Sequence, residues 1–94
     1  MAPLDVDLVA ADRKVWSGQA SMVSAPAADG DIGILPGHAP VVAVLRPGSV
    51  RITPVSGAAV AVKVDAGFLS VDSDQVTVVV DTAEDLGSLA SGGH

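Results

Sequence analysis

Residues 76–81 read Val-Thr-Val-Val-Val-Asp. In an extended chain successive side chains point to opposite faces, so Val76, Val78 and Val80 share one face and Thr77, Val79 and Asp81 the other. The same period of two recurs on either side. Val6, Leu8 and Ala10 alternate with Asp5, Asp7 and Val9. Val50 and Ile52 alternate with Arg51 and Thr53, and Val60, Val62 and Val64 with Ala61, Lys63 and Asp65. One face is apolar and the other mixed or polar, the pattern of antiparallel strands with a core on one side. Turn-forming clusters separate the runs: Trp16-Ser-Gly18, Asp29-Gly-Asp31, Pro36-Gly37, Pro47-Gly48, Ser56-Gly57, Ala66-Gly67 and Asp72-Ser-Asp74. Their spacing of roughly eight to twelve residues predicts an all-β sandwich or barrel of about eight to ten short strands.

The composition fits one small domain. A chain of 94 residues buries roughly 60–65% of its unfolded surface, enough for one core with little to spare. Seventeen valines and fifteen alanines, against one Trp, one Phe and no Tyr, require a core of many small side chains. The net charge of −6 repels phosphate backbones, and no basic stripe or run of aromatics offsets it, so nucleic acid is an unsuitable partner. The absence of cysteine excludes disulfides and thiolate chemistry. The segment MAPLDVDLVA has neither the basic nor the apolar region of a signal peptide. Val41–Leu45 is as long as any unbroken apolar run, far short of the ~20 residues that span a bilayer. Direct membrane insertion is therefore not expected.

Candidate chemistry is sparse. His38 lies between Pro-Gly and Ala-Pro, but no serine here sits in a nucleophile elbow, so a turn histidine is favoured over a catalytic one. Two histidines without cysteine or a His-x-x-x-His pair make a poor zinc site. Asp29-Gly-Asp31 and Asp72-Ser-Asp74 lack the closing glutamate of a calcium loop and read as acidic turns. Gly30-x-x-Gly33 is flanked by carboxylates that would repel phosphate. Lys63 raises the possibility of a lipoyl or biotinyl carrier, yet it falls within a strand pattern and not at a hairpin tip. Trp16 and Phe68 are expected in the core. Thr82 suits a helix N-cap with Asp85 three residues on, so a helical turn is expected to open over Thr82–Leu86. The division is thus a β domain over residues 1–83 and a short flexible tail over 84–94 that includes His94.

The order of motifs carries more. Trp16-Ser-Gly is followed by Asp29-Gly-Asp-Ile-Gly-Ile-Leu-Pro-Gly-His-Ala-Pro40, Leu45-Arg-Pro-Gly-Ser-Val-Arg-Ile52, Gly67-Phe-Leu-Ser-Val71 and Val76-Thr-Val-Val-Val-Asp-Thr-Ala83. In this order they resemble the epsilon-subunit family of the rotary F-type ATP synthases, whose mitochondrial counterpart is called delta. The resemblance covers about residues 3–84. It implies a flattened β-sandwich of about ten strands and a non-catalytic place in the central stalk, without a cofactor. The implied partners are the gamma subunit and the c-ring, at the cytoplasmic face of the cell membrane, where ring rotation is coupled to ATP synthesis. It also implies that Asp31 faces the c-ring and that His38, Ala39, Pro40, Val42 and Ala43 lie near gamma. The family commonly continues into a two-helix hairpin. Residues 84–94 are too few to build one, so neither ATP binding nor helix-mediated inhibition is expected of this chain.

Overall fold

The computed structural model describes residues 2–88. Nine strands follow one another: β1 (Leu4–Ala10), β2 (Arg13–Ala27), β3 (Gly30–Ile34), β4 (Val41–Leu45), β5 (Gly48–Pro54), β6 (Val60–Val64), β7 (Gly67–Asp72), β8 (Gln75–Val80) and β9 (Ala83–Ser88). Their hydrogen-bonded order is β1-β8-β7-β4-β2-β5-β6-β9, with β3 also on β2 and β1 also on β2. The network folds over into two layers. One holds β4, β7, β8, β1 and the first half of β2. The other holds β3, the second half of β2, β5, β6 and β9.

The alternating residues meet in a single core. Val6 and Leu8 of β1, Val23 of β2, Val50 and Ile52 of β5, Val62 of β6, Leu69 of β7 and Val76 and Val78 of β8 are all buried. Among the described residues no polar or charged side chain is buried with them, so cohesion there comes from apolar burial and close packing alone. Trp16 packs against this core from its border.

Three expectations change. The pairing of β1 with β8 is parallel, from Asp5↔Gln75 to Ala10↔Val80, in an otherwise antiparallel sheet. Parallel partners need a long crossover, and no local pattern announces one. Phe68 is 44% exposed because the same period of two that buries Leu69 turns its neighbour outward. No helix opens at Thr82. Ala83–Ser88 instead forms β9, with Ala83 opposite Val64 and Glu84 opposite Lys63. Five residues cannot cover the cost of nucleating a helix, whereas the open edge of β6 supplies a backbone partner at every other residue. Residues 89–94 of the expected tail, His94 among them, lie outside the described residues.

Gly67 marks the tightest approach in the fold. It opens β7 opposite Val80, and a Cβ there would run into the Val79 carbonyl oxygen and come within 2.7 Å of Val80 Cα. Backbone cannot yield as a flexible side chain does. Gly67→Ala is therefore expected to cost more than about 2 kcal/mol and to lower Tm by at least about 8 °C in a circular-dichroism melt. A melt that coincides with the parent would show that β7 and β8 can part without cost.

Candidate interaction surface

The sequence Leu35-Pro-Gly-His38 dictates its own turn. Proline sets the backbone at the second position, and Gly37 takes φ +86° at the third, where other residues are strained. The His38 N–H closes the turn on the Leu35 carbonyl at 3.1 Å. The turn is then fastened from outside. Asp74 Oδ1 accepts the Gly37 N–H at 2.7 Å, and the Asp74 carbonyl accepts the Asp5 N–H at 2.8 Å. Asp74 itself belongs to the two-residue β7–β8 hairpin, in which Ser73 and Asp74 both have positive φ (50° and 63°). The half-buried His38 ring donates from Nδ1 to the Ala39 carbonyl at 2.7 Å. Among the described residues no three His, Cys, Asp or Glu side chains gather as metal ligands.

From this turn β3 and β4 lead away into different layers. β3 pairs only with β2, and β4 pairs with β7 and meets β2 at the single pair Ala27↔Leu45. The sandwich is thus open along this side. A groove of about 520 Å³ runs between the two strands, with Asp31 and Ile32 on one wall and Val42 and Ala43 on the other. Asp31 and the Val42–Ala43 pair, which sequence reasoning assigned to separate partners, share this groove. His38, Ala39 and Pro40 do not; they occupy the far end, where β4 begins, about 13 Å of strand away from Leu45.

Exposure ranks the residues. Val42 is 73% exposed and Val44 66%, whereas Ala43 between them is half-buried and faces inward. The exposed apolar surface of β4 therefore consists of Val42 and Val44, the second of which was not among the residues singled out from the sequence. Leu35, 56% exposed, extends it at the turn. The Asp31 side chain is 81% exposed, with Arg46 Nη2 at 4.0 Å as its salt-bridge partner. A pair so open and so long contributes little and leaves Asp31 available to a partner's cation. Pro26, opposite Asp31, has no N–H and turns its carbonyl to the Arg46 N–H. The Asp31 backbone accordingly faces the open edge. Lys63 sits in mid-strand between Ser49 and Glu84, with no hairpin tip to present it to a modifying enzyme.

Residues 3–86 match the model of the family described as ATP synthase, Delta/Epsilon chain, beta-sandwich domain. The chain is 45% identical to the ATP synthase epsilon chain of Rhodococcus erythropolis, over 89% of this chain and 70% of that one. It is 46% identical to the epsilon chain of Micrococcus luteus over 97% of this chain and 99% of the other. With that of Halorhodospira halophila identity is 49%, covering 88% and 60%. Among solved structures, a chain of the Euglena gracilis mitochondrial ATP synthase superposes with a TM-score of 0.85 at 22% identity, over 92% of this chain and 55% of that one. A chain of the Tetrahymena thermophila mitochondrial ATP synthase central stalk and c-ring gives 0.73 at 19%, over 88% and 66%. These two likenesses concern the fold.

The fastening by Asp74 makes a direct prediction. Asp74→Ala leaves a non-glycine residue at positive φ and removes the acceptor of the Gly37 N–H, so it is expected to cost about 1–2 kcal/mol. Faster amide exchange should appear at Gly37 and His38. Unchanged exchange there would show that the turn holds itself without the aspartate.

Proposed function

The chain belongs to the ATP synthase delta/epsilon family, and on that premise we propose that it is a non-catalytic central-stalk subunit linking gamma to the c-ring. In this role it couples proton-driven rotation to ATP synthesis elsewhere in the complex and works at the cytoplasmic face of the membrane. The observation that carries the proposal is the open β3–β4 side, which puts an exposed carboxylate at one end of a stiff loop-and-strand unit and exposed valines along it. Asp31 meets the c-ring. His38, Ala39, Pro40 and Val42 lie against gamma, with the inward-facing Ala43 lining the groove below them.

The physics of the segment supports such a role. A stable interface takes roughly 800 Å² from each partner, more than those four residues supply, so Leu35 and Val44 extend the gamma contact. The turn is already shaped by Pro36, Gly37 and Asp74. Less ordering entropy is therefore lost when it docks. No step needs a nucleophile, an acid–base pair or a cofactor: the subunit holds two partners in fixed register and passes force between them. A carrier role for Lys63 would need a modified lysine at a hairpin tip, and the mid-strand position opposes it.

Two substitutions test the two contacts separately. Val42→Asp places a charge on the exposed valine and is expected to weaken capture of the gamma subunit at least about tenfold, a loss of about 1.4 kcal/mol. Asp31→Arg should leave gamma binding intact, weaken retention on a reconstituted c-ring and change stability by less than about 0.5 kcal/mol. Failure of the parent chain to bind gamma from its own genome overturns the proposal. Unfolding of the Asp31 variant would give that residue a structural role instead.

A further inference from the structure

A second groove, on the outer side of the β2–β5 pair, shares only Asp31 with the surface proposed above. The ladder between β2 and β5 runs from Ala20↔Pro54 to Ser24↔Arg51 and stops there. Its cause is local. Pro26 has no N–H to give, and its carbonyl is taken by the Arg46 N–H at 2.9 Å. Gly48 presses against the Pro26 ring so closely that a Cβ would lie 2.9 Å from the proline Cβ and Cγ. Beyond Ser24 the two strands are no longer paired, and a groove of about 590 Å³ lies on the outer face beside Pro26 and Gly48.

What lines the groove is unusual for this chain. Of only five lysine and arginine residues in a protein of net charge −6, Arg46 and Arg51 both border it, together with Ser24, Ser49 and a single carboxylate, Asp31. Neither guanidinium is well neutralised. Arg46 has the exposed Asp31 at 4.0 Å, and among the described residues Arg51 has no carboxylate within that distance. Guanidiniums present planar forks of N–H donors that match carboxylates, and serine hydroxyls add further donors. The groove is far larger than one small oxyanion, and its donors come from β2, from β5 and from Arg46 between β4 and β5. These features suit an extended chain better than a compact anion.

We infer that this groove binds an extended acidic segment of a partner protein. Its carboxylates meet Arg46 and Arg51, and its backbone runs past Ser24 and Ser49 on the outer face. Asp31 competes for Arg46, so binding at this groove and the charge state of the β3 edge are linked through one ion pair.

The test is a titration of the 15N-labelled chain with acetylated tetraglutamate, inorganic phosphate and anionic phosphatidylglycerol vesicles in parallel. Saturable amide shifts at Ser24, Gly48, Ser49 and Arg51 are expected with the peptide, fading as salt is raised. Arg46→Gln and Arg51→Gln should each weaken the peptide at least about tenfold. Asp31→Asn, which removes the competing carboxylate, should tighten it about two- to threefold. The same spectra report whether each variant remains folded. Absence of saturable shifts, or glutamine variants that bind like the parent, overturns the inference. So does a stronger response to phosphate or to the vesicles, which would reassign the groove to a small oxyanion or to a lipid surface. None of these outcomes depends on gamma or the c-ring, so failure here leaves the stalk proposal standing.

Discussion

The fold depends on one strand being hydrogen-bonded in both layers. The fifteen residues of β2 pair with β1 through their first half, from Ala20 to Arg13, and with β3 and β5 through their second. The change of partner falls at the irregularity between Ala20 and Met22, where an extra residue lets a strand bend and twist. Ala20 is fully buried at this corner, and its small side chain leaves room for the two layers to close. Everything described at the surface follows from the bend. It separates β3 from β4, opens the side that carries Asp31 and Val42, and delivers Pro26 to the point where β2 and β5 part.

The shared strand also governs how the domain carries load. Two sheets held face to face by dispersion can slide, because such attraction has no direction. Here the backbone itself crosses from one layer to the other, so a force applied at the β3 edge reaches β1 through covalent bonds. The valines add stiffness. A β-branched side chain has few rotamers available, and a core of Val6, Val23, Val50, Val62, Val76 and Val78 has few ways to repack under strain. Such rigidity suits the stalk role proposed above.

Much of this was legible in the residues. Strict alternation placed β1, β5, β6 and β8, and the Leu-Pro-Gly-His turn could be read from proline and glycine alone, but the Trp16-Ser-Gly18 cluster expected as a turn lies inside β2. Signals failed where the deciding partner was distant. Nothing near Asp5–Ala10 reveals that β1 lies parallel to residues some seventy positions away. Ala83–Ser88 looked like a helix start because its local chemistry was read without the vacant edge of β6. Phe68 was assigned inward by its hydrophobicity, although the period of two already pointed it outward. The site residues divided likewise. Asp31 and Val42 were singled out only through the family resemblance, their sharing of one groove depends on where two layers diverge, and Arg46 and Arg51 meet Ser24 only through pairing.

The open edges of β3 and β4 bear on the fate of the free subunit. An unpaired strand is a template for any other unpaired strand, and one bearing two exposed valines invites stacking into aggregates. The chain surrounds this hazard with gatekeepers: Pro40 just before β4, and Asp29 and Asp31 at the mouth of the groove beside β3. Like charges on two copies repel where their edges would meet, which opposes such pairing. The residues proposed to dock the subunit and those that guard its open edge lie in the same short stretch, so selection cannot adjust one property without touching the other.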